Sequence, residues 1–222
     1  MTSPLCCESG YDGWISGSTF ANNTFVAVGN AGNIIRSTDN GSTWDNATTD
    51  NSTSNTLFSV AFGNNVFVAV GINGTIVTST DGTNWTTRTS GTSQYLRKVI
   101  YANSLFVTVG FNGVLLTSSN GTSWTSRTSN TAAYLYSIGY GNGKFVVGGR
   151  GVYLTSSNGT NWVETSGLSS YSYGVAYGIN KYVITGYTGS IYNSDNGSAN
   201  STNWDSVSSG TNSTLYKIIF TN

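Results

Sequence analysis

The sequence contains no histidine and one proline, and its 9 basic and 9 acidic residues leave only 8% of 222 residues charged, with a formal net charge of zero. An average soluble protein is about 25% charged. Without histidine, Ser-His-Asp and Cys-His nucleophiles, most transition-metal sites and the usual general base near neutral pH are excluded. The few Lys and Arg do not cluster along the chain, and phosphate binding needs grouped cations, so nucleic acid is not an expected partner. No apolar stretch approaches the roughly 18 residues of a membrane span, and no basic-then-apolar leader opens the chain; the sequence reads as soluble, without membrane insertion. The two cysteines, Cys6 and Cys7, are adjacent and cannot staple distant segments. They sit in an expected N-terminal arm, residues 1–13, either loosely attached or reaching a neighbour in a homo-oligomer or larger assembly.

Polarity comes instead from Ser, Thr, Asn and Gly, while aromatic and β-branched residues recur at a fixed period. The pattern LFSVAFGNNVFVAVGINGTIVTSTDGTNW, residues 57–85, has five copies. Its second strand appears from Phe25, Phe67, Phe106, Phe145 and Tyr182, and each copy ends at a tryptophan, at 44, 85, 124, 162 and 204. The intervals between these tryptophans are 41, 39, 38 and 42 residues. Each unit holds three strand-like runs and a Trp-led fourth, separated by Gly and Asn turns, which is a four-stranded meander. Asn73-Gly74 and Asn112-Gly113 supply the positive φ pair of a type I′ turn. No 3.6-residue period persists. The expected fold is therefore all-β: a single five-bladed β-propeller, residues 14–222, of four-stranded antiparallel blades. The opening strand occurs six times against five for the others. Ring closure by terminal strands is expected, with residues 215–220 beside the strand from Phe25 and the segment around Trp14 displaced or paired elsewhere.

STDNGSTW at 37–44 resembles the Asp-box of sialidases and of several non-enzymatic propellers. STDGTNW at 79–85 lacks one spacer, SSNGTSW at 118–124 and SSNGTNW at 156–162 carry Asn for Asp, and NSDNGSANSTNW at 193–204 carries an insertion. The resemblance implies a structural hairpin built on Asp39 and Trp44, Asp81 and Trp85, Asn120 and Trp124, Asn158 and Trp162, and Asp195 and Trp204. In such a hairpin Asp or Asn accepts backbone N–H groups, Gly takes the left-handed conformation and Trp packs on its own blade. Sialidases also carry an arginine triad, a tyrosine with a glutamate and an aspartate acid. Here Arg88 and Arg127 share one repeat position, three residues after the Trp, and Glu164 is the sole glutamate within the repeats. No catalytic set, metal or cofactor is expected.

Function in a propeller concentrates on the face formed by the second turns and the blade-connecting loops. The second turn places Asn30, Ile72, Phe111, Arg150 and Tyr187 at one repeat position, five different residues in a nearly constant frame. An adaptable contact ring and an unconstrained turn would both look so. The connecting loops add Gln94, Tyr95, Tyr134 and Tyr171, able to stack on sugars and bond hydroxyls, while Tyr173 is expected to wedge between blades. Eleven Asn-x-Ser/Thr triplets occur, and turn chemistry accounts for most of them. The expected function is a non-enzymatic recognition or decoration module on an extracellular, cell-surface or virion surface, lectin-like toward neutral glycans through several weak sites. A structural phage or filament protein that contacts protein surfaces is the alternative, and a degenerate sialidase-like enzyme the third.

Overall fold

The computed structural model describes residues 14–46, 53–197 and 203–220, so Cys6, Cys7 and most of the expected arm lie outside the described residues. The strands are β1 (Ile15–Ala21), β2 (Thr24–Gly29), β3 (Ile34–Ser37) and β4 (Asp45–Asn46) in the first repeat, and β5 (Leu57–Gly63), β6 (Val66–Gly71), β7 (Ile76–Ser79) and β8 (Thr86–Arg88) in the second. The third holds β9 (Leu96–Ala102), β10 (Leu105–Gly110), β11 (Leu115–Ser118) and β12 (Thr125–Ser126). Then follow β13 (Leu135–Gly141), β14 (Lys144–Ser156), β15 (Val163–Gly178), β16 (Lys181–Gly186), β17 (Ile191–Ser194) and β18 (Asp205–Val207). The described helix consists of single 3₁₀ turns.

Local chemistry explains the meander. Asn64 and Asn65, at φ 45° and 60°, turn β5 into β6, and Asn22-Asn23 and Asn142-Gly143 do the same elsewhere. Asn73 at φ 54° and Gly74 at φ 67° form the expected left-handed pair between β6 and β7. Gly74 admits no side chain besides, since a Cβ would stand 1.9 Å from the Thr92 carbonyl oxygen. Every residue of β6 is buried, because sheets pack on both its faces and the alternation of a half-exposed strand is lost.

Three four-stranded sheets, β1 to β4, β5 to β8 and β9 to β12, are joined by a six-stranded sheet running β13-β14-β15-β16-β17-β18. The expected pattern of five separate four-stranded sheets is thus met in the first three repeats and modified in the last two. The 16-residue β15 serves the fourth repeat with its first half, pairing with β14, and the fifth with its second half, pairing with β16. The Arg150-Gly151 turn is one residue shorter than its counterparts, and β14 runs through it unbroken.

The expected strand exchange at the ends is corrected. β1 itself pairs with β2, Phe20 opposite Phe25, and residues 215–220 are not in that seat. The Asn22-Asn23 turn closes this hairpin over two residues, whereas a terminal strand would have to close a loop of nearly the whole chain. Leu215–Phe220 lies instead along the second half of β15. The Leu215 N–H donates to the Gly186 carbonyl at 2.9 Å, and a Cβ on Gly174 would stand 3.0 Å from the Ile218 nitrogen.

The first strands of successive repeats pack side by side, β1 on β5, β5 on β9, β9 on β13 and β13 on β15. Glycines set the spacing. A Cβ on Gly63 would stand 2.0 Å from the Tyr101 ring, and Gly141 faces Tyr177 and Gly178 faces Phe220 in the same way. Buried valine, leucine, phenylalanine and tryptophan fill the space between neighbouring sheets.

Candidate functional site: an aromatic and arginine belt

In each repeat the pairing of first and second strand slips by one residue at the same place. The slips fall between Ile15 and Gly17, Leu57 and Ser59, Leu135 and Ser137, and Ser172 and Gly174, and β9 skips a residue between Leu96 and Lys98. The bulged residues are Ser16, Phe58, Arg97, Tyr136 and Tyr173. A bulge leaves its residue out of the ladder and re-aims its side chain. Here it turns four large side chains out of the sheets, toward the turns above them.

The result is a continuous run of rings. Tyr95 stacks on Phe111 at 5.2 Å and Phe111 on Tyr134 at 4.2 Å with 7° between planes, while Tyr136 meets both Phe111 and Tyr134 edge-on. Tyr136 continues to Tyr173 at 5.0 Å, which meets Tyr171 at 6.4 Å and Tyr216 at 5.3 Å, and Tyr171 meets Tyr187 at 5.8 Å. Phe58 joins through Tyr95 at 6.3 Å. Two guanidiniums lie on the run, Arg97 over Phe58 at 4.1 Å and Arg150 over Tyr171 at 5.2 Å. Tyr95, Tyr134, Tyr187 and Arg150 are exposed. Burial pushes the Tyr136 and Tyr173 hydroxyls up, against the pull of Arg150 on Tyr136, so both phenols are neutral at physiological pH.

Of the residues expected at the site, Phe111, Arg150, Tyr187, Tyr95, Tyr134 and Tyr171 come together in this belt. Gln94 borders it, its side-chain oxygen accepting from Asn112 Nδ2 at 3.0 Å. Asn30 and Ile72 hold the same turn position in the first two repeats but bring no ring. Their backbone N–H groups bond Trp14 and Thr56 carbonyls. Tyr173 does bridge neighbouring first strands, and it is also a belt member. Phe58, Arg97, Tyr136 and Tyr216 escaped the sequence reading; the available signal was the residue after the opening leucine, in LF, LR and LY.

Four of the nine cations are set apart from the acids although the net charge is zero. Arg97, Lys98, Arg150 and Lys217 lie on first strands, on the terminal strand or on a second turn, while the six described acids lie on fourth strands or the hairpins leading to them. Burial, with Lys217 nearby, pulls the Lys98 ammonium below its ordinary value. The fold therefore gathers cations that are scattered in sequence.

The hairpins that lead to the tryptophans are held by their own hydrogen bonds. Asp39 accepts from Thr43 Oγ1 at 2.6 Å, Thr43 N–H at 2.9 Å and Ser37 Oγ at 2.7 Å, and these bonds hold its carboxyl down at about 2. Burial would raise Asp81, but the N–H groups of Asn84 and Thr83 with Ser79 outweigh it and hold this carboxyl well below its usual range. Asn120 and Asn158 accept the same backbone bonds. In the fifth repeat the role falls to Asn196, which accepts from Ser194 Oγ at 3.3 Å, and not to Asp195, which pairs with Lys181. The acceptor must stand two residues after the serine, and Asp195 stands one after. Each indole N–H of Trp44, Trp85, Trp124 and Trp162 donates to the carbonyl of its hairpin glycine. Trp85 is fully buried, whereas Trp44 is 45% exposed, contrary to the expectation of equivalent packing; among the described residues nothing comes within 4 Å of a Cβ built on its hairpin glycine, Gly41. No group of three metal-ligating side chains occurs among the described residues, and no described helix is long and apolar enough to cross a membrane.

No family model and no curated protein matches the chain. Solved structures do. YCF48 bound to D1 peptide superimposes with TM-score 0.67 at 19% identity over 87% of this chain and 66% of that one. YCF48 from Cyanidioschyzon merolae gives 0.70 at 18% identity over 94% of this chain and 75% of that one. The computationally designed Ika8 protein gives 0.74 at 16% identity over 96% and 67%. A chain of the nidogen/laminin complex gives 0.63 at 13% identity over 91% and 83%. The fold is that of a β-propeller. The chain spans about two thirds of the length of the first and third of these structures.

Proposed function

We propose that this chain is a non-enzymatic recognition propeller of five blades whose aromatic and arginine belt binds a peptide or protein segment carrying apolar side chains and a carboxylate. The observation that carries the reading is the belt itself, nine tyrosine and phenylalanine rings in contact sequence with two guanidiniums, while the described acids lie on fourth strands or the hairpins leading to them. Rings held by one another lose little entropy on binding, and arginine supplies planar, charge-assisted bonds to a carboxylate. Structures of the same fold include one bound to the D1 peptide and one in a nidogen/laminin complex, which is consistent with segment recognition.

A sialidase-like reading finds little support in the arginines. Arg36 on β3 pairs with Asp45, Arg88 on β8 bonds Thr78 and Arg127, just past β12, bonds Thr117, each within its own sheet. A neutral-glycan reading would use the same exposed tyrosines with the Gln94 and Asn112 amides. The two readings separate by one substitution. Titration against an array of acidic and neutral peptides and a glycan array should show peptide binding that falls at least tenfold in Arg150→Gln and in Tyr134→Ala. Glycan binding that survives Arg150→Gln unchanged, with no peptide retained by the parent chain, would reject the peptide reading.

A further inference from the structure

The contacts between neighbouring repeats are regular enough to show where they stop. From the second repeat onward, the hairpin leading to the tryptophan nests its glycine on the second strand of the preceding repeat. A Cβ on Gly82 would stand 3.2 Å from Val26, one on Gly121 3.0 Å from Val66 and Val68, and one on Gly159 2.5 Å from Leu105. Gly41, the equivalent in the first repeat, has nothing within 4 Å. At the other end Val183 is half-exposed, where its counterparts Val26, Val68, Val107 and Val146 are fully buried. The first repeat thus presents a bare front, the fifth a bare back, and each is the shape that the other's neighbours already cover.

The spare strand lies at this back. Phe220 is seated over Gly178 as Tyr101 is over Gly63, so Leu215–Phe220 holds the first-strand position of a further repeat. It has no strand partner among the described residues, and Tyr216, Ile219 and Phe220 are 60%, 69% and 45% exposed. The second strand it lacks would have the sequence and hairpin position of β2. β2 is held by β1, whose Ser18 and Thr19 occupy the places of Ile218 and Ile219 and of the buried Val60 and Ala61. Phe20, in the place of Phe220, is itself 51% exposed.

We propose that the chain assembles head to tail with a second copy of itself, Leu215–Phe220 of one copy replacing β1 as the strand paired with β2 of the next. The partner is a second copy because both halves of the joint continue an interface already made between every pair of neighbouring repeats in this chain. Exchange puts isoleucines where serine and threonine stand and covers Gly41, Trp44 and Val183 together. Such a heterologous joint closes into a ring of copies or propagates as a filament, according to the rotation per copy.

The pairing predicts that Phe220 of one copy lies opposite Phe25 of the next, as Phe20 does now. In a background with Cys6→Ser and Cys7→Ser, single variants Phe25→Cys and Phe220→Cys are refolded together and oxidised, a disulfide needing Cα atoms about 5.5 Å apart. The expected result is a covalent two-chain species only when both variants are present. In addition, sedimentation of the full chain should give a mass of at least two copies, falling to one when residues 215–222 are removed, with the β circular dichroism retained. An internal disulfide in the double variant with none formed between chains would assign the strand to closure within one chain and overturn the proposal. A single-chain mass at high concentration, or no disulfide at all, would overturn it equally. Peptide binding at the belt has no part in these readouts, so either result leaves the proposed function to its own test.

Discussion

Gly141 ends β13 directly beneath the ring of Tyr177 in the next repeat, where a Cβ would lie 2.0 Å from the ring carbon Cγ. The contact is closer than any side chain allows, so the glycine is required by its neighbour and not by its own backbone. Gly141→Ala should lower stability by about 1–3 kcal/mol, the usual range for overpacking a filled site, read as a reduced midpoint in chemical unfolding. An unchanged midpoint would show that the two strands are less tightly apposed than the structure has them.

Tyr182 extends the same joint. It stands where four other repeats carry phenylalanine, and its hydroxyl donates to the carbonyls of Gly141 and Lys144. Tyr182→Phe restores the repeat's own residue yet leaves these buried carbonyls without their donor. Denaturant titration should register a loss of about 1–3 kcal/mol. A gain in stability would mean that the hydroxyl, not its absence, is the strained element.

The hairpin tryptophans are unequal. Trp85 is fully buried against Phe67 at 6.3 Å, while Trp44 is nearly half exposed beside Phe25 at 6.2 Å. Trp85→Ala should therefore cost about 3–5 kcal/mol, and Trp44→Ala much less in the dilute chain, as followed by thermal melting. Equal losses would contradict the bare front of the first repeat.

Acid should loosen the first two hairpins selectively. The Asp39 carboxyl is held at about 2, below its ordinary 3.8, and Asp81 is also held low. A carboxylate depressed in the folded state stabilises above its unfolded value, and that contribution is lost as pH falls through the folded value. Stability should decline between about pH 4 and pH 2. Asp39→Asn combined with Asp81→Asn should flatten the decline without unfolding the protein, since Asn120 and Asn158 already fill this role. A slope unchanged in the double variant would move its origin to other carboxylates.

Much of the architecture is legible in the sequence because its causes are local. Asn-Asn and Asn-Gly turns need only their own positive φ values, and the valine and phenylalanine runs need only to be buried on both faces. Asp39 and Trp85 follow from hairpin chemistry in the same way. Six of the belt residues are legible as well, Phe111, Arg150 and Tyr187 at a turn position that varies in a constant frame and Tyr95, Tyr134 and Tyr171 in the blade-connecting loops.

What the tertiary structure decided is of a different kind. The bulges that turn Phe58, Arg97, Tyr136 and Tyr173 into one belt come from strand register, and a register slip leaves no mark on composition. The gathering of Arg97, Lys98, Arg150 and Lys217 within a neutral chain comes from stacking the repeats side by side. The fate of Leu215–Phe220 depends on whether the last repeat meets the first. A repeat specifies its own sheet and its contact with one neighbour, but small rotations from unit to unit accumulate along the array, and only their sum determines which ends can touch.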